Sequence, residues 1–155
     1  MRGVALAVVA ALVGCIGTDD GTVAIPVLDP LVFREDVQPI LATRCGNPTC
    51  HGRADRPFSI YSAGAYRADP ARTFLDEPLT PEELAQNYIG ACGFALELES
   101  TSPSSCELLQ KPLAIDAGGM GHLGGDVWID ERDREYRTVE AWVRAPLDPP
   151  EEARQ

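Results

Sequence analysis

The sequence predicts a mostly helical domain in which short helices are joined by long loops. Apolar residues recur at helical spacing from Phe33 to Leu41 and again from Tyr136 to Val143, which marks two amphipathic helices. A capping box with proline at the first helical position opens a third helix at Thr80. Thirteen prolines and fourteen glycines break up the remainder, so no helix grows long. A chain of this kind buries a thin core and gains from covalent staples or a large apolar cofactor.

Phe33, Val37, Ile40 and Leu41 share a face over roughly 34–44, with Asp36 as the expected cap and Pro39 in the expected first turn. From Arg53 to Pro78, Phe58, Ile60, Tyr61, Tyr66 and Phe74 appear without sustained periodicity, which predicts a loop that packs aromatics. Thr80-Pro81-Glu82-Glu83 starts a helix that carries Leu84, Tyr88 and Ile89 and runs to about Cys92. A serine-rich loop over 100–105 precedes a single turn at Cys106–Gln110. Residues 118–125 hold five glycines, the only second histidine, His122, and Met120, and read as a loop that approaches something closely. Asp130 precedes the last helix, Glu131 to Ala145, whose stripe is Tyr136, Val139, Trp142 and Val143, and Pro146 stops it.

Met1-Arg2 followed by an apolar run to Val13 reads as a secretory signal, too short to remain as a membrane span. Leu12-Val13-Gly14-Cys15 resembles the bacterial lipobox, in which the cysteine becomes the acylated first residue. The expected organisation is a lipoprotein signal peptide over 1–14, a Gly/Pro-broken tether over 15–30, one folded domain over 31–146 and a polar, disordered tail over 147–155. Cys15 would then carry the lipid anchor of a cell-envelope protein on the periplasmic side or at the outer membrane. Ile16, in place of aspartate after that cysteine, leans towards the outer membrane. A net charge of −11 argues against nucleic acid as a ligand and allows steering towards a basic redox partner.

Five cysteines in an exported chain each need a use. With Cys15 given to lipid, Cys45 and Cys50 stand with His51 in a candidate haem c site, and Cys92 and Cys106 remain as a disulfide pair around a thirteen-residue loop. Covalent haem needs two thioether cysteines and an imidazole directly after the second, and Cys50-His51-Gly52 meets this requirement. Four residues rather than two separate the cysteines, a departure from the usual spacing that Gly46 and Pro48 would accommodate as a looped-out insertion. A Cys45–Cys50 disulfide in a haem-free domain is the rival reading of the same residues. Zinc fits less well, since His122 lies far outside finger spacing.

Phe33 through Leu41 with the cysteines and His51-Gly52 resembles the start of small cytochrome c-like domains of bacterial lipoproteins of the myxobacterial and planctomycete type. The segments Leu108–Leu113, His122–Gly125 and Tyr136 to Val143 look like the same family, so the resemblance spans roughly residues 33–144. It implies a class I cytochrome c fold, with the first and last helices crossing and loops wrapping the haem. It also implies His122 as distal iron ligand, with Met120 as the named alternative, which would set a higher reduction potential. Lys111 is a candidate partner for a haem propionate.

The expected function is electron transfer with redox partners of the envelope, not enzymatic catalysis, because no triad, acidic pair or phosphate loop is present. The alternative is a haem-free, disulfide-stapled lipoprotein serving as a surface or assembly module.

Overall fold

The computed structural model describes residues 27–96 and 105–147. The signal peptide, Cys15, the tether up to residue 26, most of the serine-rich loop and the tail beyond Leu147 lie outside the described residues. Among the described residues the chain is mostly helical and has no strands, only isolated bridges. No described helix is long and apolar enough to cross a membrane.

The first helical rod combines α1 (Pro30–Val32), a π-helical segment (Phe33–Val37) and α2 (Gln38–Arg44). It begins earlier than the periodicity indicated. Asp29 rather than Asp36 is the cap, accepting from the amides of Leu31 and Val32, and Pro30 takes the first helical position. Pro39 therefore falls inside the rod, where it has no N–H to offer the preceding turn. The π register just upstream, in which the Gln38 amide reaches back to the Phe33 carbonyl, is the local rearrangement that lets the rod continue past it.

A long loop follows, containing a 3₁₀ turn at Pro70–Arg72. It buries Phe58 and Ile60, stacks Tyr61 on Tyr66 with centroids 4.7 Å apart, and leaves Phe74 in solvent. Next comes α3 (Pro81–Ala95), opened by the Thr80 capping box as the sequence predicts. It runs three residues past Cys92; Glu83, Asn87, Ala91 and Ala95 face inward, Leu84 and Tyr88 are partly buried, and Ile89 is exposed. The short α4 (Glu107–Gln110) and a 3₁₀ turn (Ile115–Ala117) lead into the glycine-rich loop.

The last helix, α5 (Arg134–Arg144), is capped by Asp133 instead of Asp130, since Asp133 reaches the amides of Glu135 and Tyr136. Its stripe of Tyr136, Val139, Trp142 and Val143 is buried as expected. The first rod and α5 pack together through Phe33 against Trp142, centroids 5.3 Å apart, and Arg44 pairs with Glu135 at 2.6 Å. Trp142 also donates its indole N–H to the Asp29 carbonyl, and Leu147 donates its amide to Val27, so the two ends of the described chain are held together. Leu28 is fully buried, which places the start of the packed domain just ahead of the first helix.

Candidate haem site

Cys45 ends the first rod, and the chain then folds back so that His51 donates its amide to the Cys45 carbonyl at 3.1 Å. The four-residue insertion between the cysteines is a compact turn. Asn47 Oδ1 accepts from the amide and hydroxyl of Thr49, and the Asn47 carbonyl accepts from the amides of Cys50 and Gly52. Gly52 is sterically required here: a Cβ would lie 2.1 Å from the Gly46 carbonyl oxygen. Arg56 ties the turn down by donating to the carbonyls of Cys50 and Thr49.

Both Cys45 and Cys50 carry free thiols. Burial, reinforced by the neighbouring Cys50, pushes the Cys45 thiol up to about 12, so at neutral pH it is fully protonated.

His51 hydrogen-bonds through Nδ1 to the Phe58 carbonyl at 2.7 Å. A carbonyl only accepts, so Nδ1 holds the proton and Nε2 keeps a free lone pair, the tautomer a metal-ligating histidine needs. The Ile60 amide returns a bond to the His51 carbonyl, fixing the two segments against each other. Phe58 packs beside the His51 ring and Phe94 beside Phe58, forming an apolar wall with Lys111 Nζ over the Phe94 ring.

The second histidine reaches the same neighbourhood from the glycine-rich loop. That loop is anchored by the Met120 amide on the Gln110 carbonyl and turned by Gly118, Gly121 and Gly125 at positive φ. Gly124 lies so close under the His122 ring that a Cβ would be 2.7 Å from Nε2. His122 Nδ1 is buried and has no hydrogen-bond partner among the described residues. Burial first, and then the charge of His51, lower the His122 pKa against an opposing hydrogen bond with the Lys111 backbone, which favours the neutral ring. Met120 is largely solvent-exposed. Lys111 is engaged by Glu107 at 2.5 Å.

These residues fit a haem. One turn presents two thiols and a histidine of the correct tautomer, and a second imidazole, on the glycine-rich loop, is within electrostatic reach of the first. No three of the described His, Cys, Asp or Glu side chains gather as a compact metal-ion site. Cys92 and Cys106 both abut the same core cluster, and the Cys92 thiol lies in hydrogen-bond reach of the Tyr88 hydroxyl. Sequence reasoning missed Phe58 and Phe94 as site residues. Phe58 supplies a backbone carbonyl, which carries no residue-specific signal, and Phe94 sits on an unpatterned part of α3. No known protein family, characterised protein or solved structure matches the chain.

Proposed function

We propose that this chain is a monohaem c-type cytochrome of the class I kind that carries single electrons in a bacterial cell envelope, anchored by lipid at Cys15. The observation that carries the reading is the His51 Nδ1 bond to the Phe58 carbonyl, made on the same turn as two free thiols. Cys45 and Cys50 would hold the porphyrin covalently, and His51 and His122 would ligate its iron. When bound, the haem supplies one-electron redox chemistry.

The chain's own contribution is positional. Phe58 holds the His51 ring in one tautomer and orientation, and the Asn47 turn fixes the spacing of the two cysteines. The Phe58–Phe94 wall lowers the local dielectric, which tunes the potential. The packing of the first rod against α5 supports the class I assignment, because terminal helices meeting in this way are what the family resemblance requires.

Co-expression with a haem maturation system, followed by haem staining of a denaturing gel, tests the reading. A stained band is expected, lost in Cys50→Ser and His51→Ala; a colourless band from efficiently exported protein overturns it. The distal ligand is read from the absorption spectrum: His122→Ala disturbs six-coordination and Met120→Ala does not, in keeping with the exposure of Met120.

A further inference from the structure

Three large apolar side chains near His122 in the chain are exposed. Leu123 is as exposed as a side chain can be, and Met120 and Ile115 are more than half exposed. Ile115 lies against Gly121, since a Cβ there would be 3.0 Å from Ile115 Cδ1, so the 3₁₀ turn and the glycine-rich loop present one surface. Exposed apolar residues clustered on a loop mark a contact surface more often than a folding requirement.

Along this stretch of the chain the charge is mostly acidic, and the Lys111 charge that also acts on His122 is paired. Between Lys111 and Arg132 the chain has Asp116, Asp126, Asp130 and Glu131 and no lysine or arginine. Lys111 itself is paired with Glu107. The exposed arginines Arg132, Arg134 and Arg137 instead line a groove beside Trp142, between the first rod and α5. Asp116 and Asp126 are exposed, and Asp126 is near enough for its charge to act on His122.

We propose that Ile115, Met120 and Leu123, rimmed by Asp116 and Asp126, form the docking face for a redox protein whose own contact surface is basic. This rests on the cytochrome reading, because a partner seated over the His122 loop is then close to the electron carrier. The acidic rim decides between occupants. It repels an anionic lipid surface, and it repels a second copy of this chain, whose net charge is also −11. Opposite charge accelerates encounter with a basic partner, and the apolar centre, once dehydrated, slows its release.

The experiment uses the haem-loaded chain and two protein probes, a small basic cytochrome c and a small acidic one, followed by stopped-flow electron transfer. The rate with the basic probe is expected to fall at least about fivefold between about 10 and about 200 mM ionic strength. Leu123→Ser should lower it about tenfold at constant charge. Asp116→Lys with Asp126→Lys should lower it further and speed the acidic probe. Reduction by a small neutral mediator should stay unchanged in every variant. A rate with the basic probe that is insensitive to salt and to these substitutions overturns the docking face while leaving the cytochrome reading intact. So does flotation of the chain lacking residues 1–15 with vesicles of anionic phospholipid in place of protein binding, or dimerisation lost in Leu123→Ser. Failure of haem attachment overturns the cytochrome reading instead, and binding of the apo chain to the basic probe by calorimetry then tests the surface on its own.

Discussion

At the scale of single residues, the site depends on atoms that have no freedom to move. Gly52 is hydrogen to the chain and space to the Gly46 carbonyl. Gly52→Ala places a methyl group 2.1 Å from that oxygen, so the Cys45–His51 turn must open. The expected cost is about 2 kcal/mol, in the range of overpacked sites, measured by urea unfolding, with haem staining reduced in parallel. His51 is oriented by a carbonyl, so no side-chain substitution at Phe58 removes the bond directly. Phe58→Ala instead removes the ring that packs on the imidazole and on Phe94. A loss of about 3 kcal/mol is expected for a buried aromatic, read from the same unfolding curve.

At the scale of elements, α3 turns a partly polar face inward. Glu83 is buried yet charged because its partners come with it: Arg67, equally buried, and the amides of Thr80 and Ala68. Arg67 in turn donates to the carbonyls of Glu77 and Pro78, so one ion pair fastens the long loop to the start of the helix. Asn87, fully buried, bonds both backbone groups of Tyr61 and the Gln38 side chain, joining α3 to the first rod. Thr80→Ala should cost about 1 kcal/mol, the ordinary worth of a cap. Glu83→Gln strands the Arg67 charge in the interior and should cost about 3–5 kcal/mol, so its urea midpoint falls well below that of Thr80→Ala.

At the scale of the whole molecule, the same carboxylate governs acid stability. Burial alone would raise the Glu83 pKa, but Arg67 and the two backbone amides outweigh it and hold it down to about 2, against an ordinary value of 4.5. A depressed folded pKa contributes stability that is present above the unfolded value and is lost as pH falls through the folded one. Unfolding midpoints should therefore drop between about pH 4.5 and about pH 2, and Glu83→Gln should flatten that part of the profile. A Cys92–Cys106 disulfide would join α3 to the start of α4. It would contribute roughly 3 kcal/mol, so Cys92→Ser should lower the midpoint under oxidising conditions and leave it unchanged in reductant.

Much of this was legible from the chain in order. The α5 stripe, the Thr80 cap, the glycine-rich loop and the Cys50-His51 adjacency are local patterns, and local patterns survive folding because their partners are only a few residues away. What the sequence did not contain were decisions made over long separations. Asp29 displaced Asp36 as the first cap because Leu28 and the Asp29 carbonyl are held by Tyr88 and Trp142, far along the chain. Glu83 and Asn87 could turn inward only once Arg67, Tyr61 and Gln38 were in place to satisfy them, and a buried polar group is tolerable only with its partners present. Sequence alone therefore determined which residues are the candidates for holding a haem. Tertiary structure decided which nitrogen of His51 carries the proton and how far His122 is buried, because both depend on long-range hydrogen bonds and packing that no linear pattern encodes.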